Sequence, residues 1–363
     1  MAAPHIEAIP ATTPFIGPEQ LMRESGRAEL VRLGANESAF GPAPSAVEAM
    51  RAELSHLSWY GDPESYDLRE ALARKHGCDV KNISVGSGID DVMGNAVRAF
   101  LAPGQTALTT RGTYPTFAFH VTGFGGNIET VDYREDGFVD VDALVQKTRE
   151  KRPAIVYLAN PDNPSGTFLR ASEVQRVVDA LPPESLLFLD EAYADFVEPG
   201  ELLPGTLLPQ VLRARTFSKA YGMAGARVGY AIMTQRNVET FQKIRLHYGV
   251  NRNAQVGALA SLADEAFHAR VIAEVARGRE DYYALARRLG QAYIESRTNF
   301  VCFDFGDVRS ATGAVAALLE RGIFIRKPGA PPLDRFVRVS VGTPEERSRF
   351  AMDLTDLRAG RPS

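Results

Sequence analysis

The sequence predicts an α/β protein, a mostly parallel sheet sandwiched by helices and joined to a smaller α+β domain. Three observations lead there. Over residues 45–248, short apolar, β-branched runs alternate with longer amphipathic stretches, the rhythm of strand, helix, strand. Two runs, Ala154-Ile155-Val156-Tyr157-Leu158 and Leu186-Leu187-Phe188-Leu189, are apolar throughout, as strands covered on both faces must be. Beyond Asn251 the rhythm gives way to long helices and isolated strand patterns. At about 100–200 residues per domain, a chain of 363 residues fits two domains with a cleft between them.

Taken in chain order, residues 1–30 read as an extended arm that joins the smaller domain. Pro4, Pro10, Pro14 and Pro18 forbid a long helix there, because each ring fixes φ and removes a backbone donor. Residues 31–250 form the large domain. Within it, Asn82-Ile83-Ser84-Val85 is a strand, followed by Gly86-Ser87-Gly88 and then Val92, Ala96, Val97 and Phe100 at helical spacing. Residues 251–363 form the smaller domain, with a long helix over 266–295, a strand at Phe300-Val301-Cys302-Phe303 and another at Phe336-Val337-Arg338-Val339-Ser340-Val341.

Composition removes several function classes. Lys+Arg 41 against Asp+Glu 45 leaves a net charge of −4, and no Lys/Arg cluster supplies the cationic surface that nucleic acid requires. Cys78 and Cys302 stand far apart without a CxxC or Cys/His grouping, which argues against a disulfide framework, a thiolate zinc site and a redox pair. The six histidines show no ligand spacing, so no metal is expected. No apolar run approaches the ~18–20 residues that span a bilayer, and no basic-then-apolar leader opens the chain, so a cytoplasmic protein without membrane contact is expected.

In open α/β sheets ligands bind beyond the carboxyl ends of the strands. After Val85 comes Gly86-Ser87-Gly88-Ile89-Asp90-Asp91, opening a helix whose free N–H groups suit a phosphate. By itself the loop serves equally as a tight turn. A dinucleotide fingerprint would need a glycine where Asp91 stands. After Leu158 comes Asn160-Pro161-Asp162-Asn163-Pro164-Ser165-Gly166, a rigid turn presenting the Asn163 amide. After Leu189 come Asp190-Glu191-Ala192-Tyr193, a carboxylate that costs desolvation unless a cation meets it, and a phenol. Finally, Thr216-Phe217-Ser218-Lys219 sets a lysine among small and apolar residues, with Arg227 two helical turns later. Desolvation disfavours such an ammonium, as an amine nucleophile requires. Together these parts match pyridoxal 5′-phosphate. The loop with Thr216, Ser218 and Arg227 would take the phosphate, Asn163 and Tyr193 the ring hydroxyl, Asp190 the ring N–H, and Lys219 the aldehyde carbon.

Six stretches carry a further resemblance: Gly34-Ala35-Asn36-Glu37, Tyr114-Pro115-Thr116-Phe117, residues 160–166, Asp190-Glu191-Ala192-Tyr193, Ser218-Lys219-Ala220-Tyr221-Gly222 with Arg227, and Val337-Arg338-Val339-Ser340-Val341-Gly342-Thr343. Over nearly its whole length the chain resembles the fold-type I aminotransferases, and among them the histidinol-phosphate aminotransferase branch. The resemblance implies cofactor contacts from Gly88, Ile89 and Asp90, and a Tyr114 ring stacked on the cofactor. It also implies substrate contacts from Ala35, Asn36, Asn163 and Arg338, the last clamping a carboxylate or equivalent anion. Tyr60 would reach the phosphate of the neighbouring subunit's cofactor, which makes a homodimer with shared active sites. Tyr60 reads equally as an interface residue packed beside Trp59. Arg326 reads evenly as a second substrate-facing arginine or as a solvated charge at a strand edge. Phe15 stands where that branch often has a tyrosine, and tilts recognition toward an aromatic side chain.

The expected activity is transamination between an amino compound and a 2-oxo acid, in histidine biosynthesis: histidinol phosphate with 2-oxoglutarate. Asp190 would keep the ring nitrogen protonated, and Lys219 would move the proton from the substrate's Cα. The alternatives are an aromatic amino-acid aminotransferase and a decarboxylase of phosphorylated amino acids. A nicotinamide oxidoreductase leaves the Lys219 and Asp190 segments unexplained, and a non-catalytic regulator of this fold would ordinarily carry an added DNA-binding domain.

Overall fold

A computed structural model describes residues 1–11, 15–205 and 207–361, so Thr13 and Pro14 of the opening segment lie outside the described residues. The arm is not simply extended. It forms short helices at Pro4–Glu7 and Pro18–Ser25, each with its proline in the first turn, where the missing N–H has no helical partner to lose. Strand β1 (Val31–Arg32) follows.

The large sheet is built from β2 (Ile83–Gly86), β3 (Thr106–Thr110), β4 (Asn127–Val131), β5 (Ile155–Ala159), β6 (Leu186–Asp190), β7 (Val211–Thr216) and β8 (Gly229–Ile232). Its order is β2-β8-β7-β6-β5-β3-β4, and β8 alone runs against the rest. Every residue of β5 and β6 is buried, which is why both read as continuous apolar runs. Because β2, β3, β5, β6 and β7 point the same way, their carboxyl ends share one edge of the sheet.

The C-terminal part forms a second sheet of β9 (Tyr293–Ile294), β10 (Phe300–Asp304) and β12 (Phe336–Ser340), ordered β12-β10-β9, while β11 (Ile323–Phe324) pairs in parallel with β1. The long helix is shorter than its apolar pattern suggested. It spans Glu265–Leu289 and ends at Gly290, whose left-handed φ of 61° terminates it and frees the chain to enter β9.

Candidate active site

Two groups meet at the shared strand edge. Asp190 is the last residue of β6 and is buried; Tyr157 donates its phenol to Oδ2 at 2.7 Å and the Ala192 N–H reaches Oδ1 at 3.0 Å. The apolar run of β5 carries that phenol to Asp190, since register pairs Ala159 with Asp190 and Tyr157 lies two residues back on the same face. Lys219 lies three residues beyond β7, with Nζ donating to the Asn36 carbonyl at 3.1 Å and standing 5.6 Å over the Tyr193 ring. Burial pushes the Asp190 carboxyl up to about 6, while burial and then the Arg338 charge bring the Lys219 ammonium down to about 8. Each still feels the other: the Lys219 charge draws Asp190 down, and Asp190 draws Lys219 up. Neither has an ion-pair partner among the described residues.

The phosphate cradle forms beside them. Gly88 caps the helix Ile89–Phe100 at φ 84°, and a Cβ there would stand 2.5 Å from the Arg227 guanidinium, so only glycine admits that close approach. Arg227 Nη2 reaches Asp90 Oδ2 at 3.3 Å, and the Tyr114 phenol donates to Asp90 Oδ1 at 3.0 Å. Asp91 holds the loop by accepting from the Ser87 N–H at 2.9 Å. Thr216 ends β7 and bonds Ser218 Oγ at 3.0 Å. Arg227 is not two helical turns from Lys219, because residues 220–223 form no helix and only a single 3₁₀ turn, Ala224–Ala226, precedes it. Gly222, at φ 67°, packs its backbone against the Gly41 carbonyl where no side chain fits, and that contact breaks helical continuation.

Arg338, in β12, closes the site from the C-terminal sheet. Its guanidinium donates to Asn163 Oδ1 at 2.5 Å and to the Gly34 carbonyl at 3.2 Å, lies 5.3 Å over the Phe300 ring, and leaves Nε buried without a partner. No carboxylate among the described residues pairs with it, and burial lowers its basicity. Ala35 stands between Gly34 and Asn36, half-buried, and Asn36 donates from Nδ2 to the Tyr193 phenol at 2.9 Å. Sequence reasoning read Asp162 only as part of a turn. It is a buried carboxyl receiving Tyr133 at 3.1 Å and Ser165 Oγ at 2.6 Å, and burial pushes it up to about 6.

The remaining positions behave differently. Arg326 is half-buried and its backbone pairs with Arg338 at the edge of β12. Its guanidinium lies 5.3 Å over the Phe15 ring and 5.4 Å over Phe324, and donates to the Ile16 carbonyl at 2.8 Å. Phe15 also stacks on Tyr114, ring centroids 6.0 Å apart, so the arm walls the site. Among the described residues, Tyr60 is brought to no other site residue. It is exposed and stacks on Tyr248 at 4.5 Å, whereas Trp59 stacks on His56.

Comparison with known proteins agrees with this geometry. The family profile of aminotransferase class I and II matches residues 28–354. The chain belongs to that family. It is 32% identical to histidinol-phosphate aminotransferase 1 of Mesorhizobium japonicum over 93% of each chain, and 35% identical to histidinol-phosphate aminotransferase 2 of Ralstonia nicotianae over 94% of each. A crystal structure of histidinol-phosphate aminotransferase from Sinorhizobium meliloti in complex with pyridoxal-5′-phosphate is 41% identical and superimposes with a TM-score of 0.94, covering 99% of this chain and 98% of that one. This aminotransferase is thus a pyridoxal 5′-phosphate enzyme with the fold expected from its sequence. The residues present fit the cofactor: a buried acid and a partly buried amine, both without ion-pair partners among the described residues, and a glycine cradle facing an arginine. No helix among the described residues is long and apolar enough to cross a membrane.

Proposed function

We propose that the enzyme transfers the amino group of histidinol phosphate to 2-oxoglutarate, a step of histidine biosynthesis. The observation that carries the substrate assignment is Arg338, a partly buried guanidinium without a carboxylate partner among the described residues and with a buried, unused Nε. In histidinol phosphate a CH2–O–phosphate group takes the place of an amino acid's α-carboxylate, so one arginine can meet the anion in both halves of the reaction. Asn163 orients that arginine from Oδ1.

When bound, the cofactor supplies an electron sink for the pair released as the Cα–H bond breaks. Asp190 would keep the ring nitrogen protonated, Tyr193 and Asn163 would meet the ring hydroxyl, and Tyr114 would lie against the ring. Gly88, Ile89 and Asp90 with Thr216, Ser218 and Arg227 would hold the phosphate. Lys219 Nζ would hold the cofactor covalently at rest and, once displaced by the substrate amine, would accept the proton from the substrate Cα and hand it on. An amine brought down to about 8 exchanges protons readily near neutral pH. Ala35 and the Phe15 wall would bound the imidazole, with Arg326 behind them.

The enzyme works as a homodimer in which Tyr60 completes the partner's phosphate site. Support comes from an exposed group comprising Leu54, Leu57, Trp59, Tyr60, Leu246 and Tyr248. Residues 31–250 serve as the large domain and 251–363 as the small one, with the arm of residues 1–30 and strand β1 joined to the latter through the β1–β11 pair. A cytoplasmic location fits two cysteines that remain free thiols.

Phe15 stacked on Tyr114 favours a second reading, an aromatic amino acid as donor. A half-reaction screen separates them. The cofactor-loaded enzyme is mixed with histidinol phosphate, phenylalanine, tyrosine and O-phosphothreonine, while the cofactor absorbance and carbon dioxide release are followed. Histidinol phosphate is expected to convert the cofactor fastest, without carbon dioxide. Faster conversion by phenylalanine or tyrosine replaces the first reading by the second, and carbon dioxide from O-phosphothreonine replaces transamination altogether.

A further inference from the structure

Asn36 is 2% exposed and holds φ 54°, the left-handed region that asparagine tolerates better than most residues. All of its polar atoms are engaged. Its N–H donates to Ser340 Oγ at 3.0 Å, and Oδ1 accepts from the same hydroxyl at 3.2 Å. Nδ2 donates to the Tyr193 phenol at 2.9 Å. The carbonyl accepts from Lys219 Nζ at 3.1 Å and from Asn299 Nδ2 at 3.1 Å. Ser340 ends β12 and Asn299 immediately precedes β10, so Asn36 ties the C-terminal sheet to the lysine. The next residue is pinned as well: Arg32 forks onto both oxygens of Glu37 at 3.0 and 2.8 Å and reaches back to Glu19 of the arm at 2.6 Å.

Both polar atoms of this side chain are already committed within the protein, Nδ2 to Tyr193 and Oδ1 to Ser340. We infer that Asn36 is a positioning residue for Lys219 and does not bind substrate: its left-handed backbone turns the carbonyl inward, and that carbonyl aims the lysine amine. The Asn36 carbonyl is the one acceptor that Lys219 Nζ reaches among the described residues. A neutral amine that donates one hydrogen there has its remaining rotation restricted, so its lone pair points in a fixed direction. The Tyr193 and Ser340 bonds keep the peptide plane from turning away. The inference rests on the proposed role of Lys219 as the proton-moving group.

The test uses cofactor-loaded enzyme carrying Asn36→Gly, which keeps the left-handed backbone accessible but loses both side-chain tethers, and Asn36→Ala, which also strains the backbone. Asn36→Gly is expected to lower kcat roughly ten- to hundred-fold, the scale on which misplaced catalytic groups act, with KM for the amino donor nearly unchanged. Asn36→Ala is expected to lower it further. The Cα-deuterium isotope effect should rise, and the pH titration of the bound cofactor's absorbance should shift, because the amine has lost its fixed partner. An increase in KM at constant kcat would mean a substrate contact and overturns the inference. So does a loss of thermal stability alone, with isotope effect and absorbance titration as in the parent. Lys219→Ala serves as the separate control: if it retains covalently attached cofactor, the reading of Lys219 fails irrespective of Asn36.

Discussion

The two faces of the β6–β7 region handle buried charge in opposite ways. Asp190 and Glu191 are neighbours in the chain, yet strand alternation sends them apart. Register pairs Leu189 with Arg213 and Asp190 with Ala214, which puts Glu191 with the arginines and Asp190 with the cofactor edge. On the far side Glu191 bridges Arg213 at 2.7 Å and Arg215 at 2.9 Å, and Asp195 meets His268 at 3.4 Å. On the near side Asp190, Asp162, Lys219 and Arg338 form no ion pair among the described residues, although all are wholly or largely withdrawn from water. Far-side charges neutralise one another and hold structure. On the proposed reading, Asp190, Lys219 and Arg338 would instead meet the cofactor ring, its aldehyde carbon and an anionic substrate group. A cavity of about 620 Å³ also lies on the far side, lined in part by Arg213, Arg215 and His268.

If that contrast holds, near-side changes should remove activity with little cost in stability. Lys219→Ala should fold, lose covalently attached cofactor and reduce turnover on the order of 10²–10⁴-fold, the range supplied by a positioned proton-transfer group. Asp190→Asn should lower kcat on the order of 10²–10³-fold, as loss of a preorganised electrostatic partner does, with the cofactor still attached. Steady-state kinetics and mass spectrometry after borohydride reduction check both, and unchanged turnover in either breaks the contrast.

A far-side change should do the reverse. Glu191→Gln leaves two buried guanidinium groups without their shared counter-ion, and breaking such a pair from one side costs about 3–5 kcal/mol. Denaturant unfolding should register that loss while the folded fraction keeps its kcat. A stable but inactive Glu191→Gln would show that the two faces are not separate.

The smallest effect sharpens the same comparison. Burial raises Asp190 and Asp162 from 3.8 to about 6, so the folded cofactor-free chain binds more protons than the unfolded one between those values, and stability falls as pH rises through that window. Lys219 is lowered from 10.5 to about 8, so the unfolded chain binds more protons there and stability rises with pH across that interval. Each of the three groups contributes on the order of 3 kcal/mol, so the acid limb, with two carboxyls, is the larger. Asp190→Asn should flatten the acid limb in part, Lys219→Ala should remove the alkaline one, and Glu191→Gln should leave both in place.

The near side was largely legible before any coordinates. Asp190, Lys219, Thr216, Ser218 and Gly88 sit at or just beyond strand ends, where apolar runs stop and small or charged residues begin, so pattern alone located them. Asp162 was hidden because turn composition explains an aspartate without invoking burial. Tyr157 was hidden inside an apolar run, where a phenol scans as packing. Arg326 stayed undecided because its environment comes from Phe15 and Ile16, some 310 residues away in the chain. The Arg227 spacing misled, because a glycine's close approach to another loop is invisible to helical periodicity.

What the chain determined by itself was local: which runs are strands, where they end, and which reactive side chains those ends display. Periodicity and residue chemistry suffice for that, since each depends on neighbours within a few positions. Tertiary structure decided which displayed groups face each other, that Asn36 spends its amide on Tyr193 and Ser340, and that Arg338 reaches Asn163 from another sheet. Burial and long-range hydrogen bonding set those roles, and both arise only when segments distant in the chain are packed together.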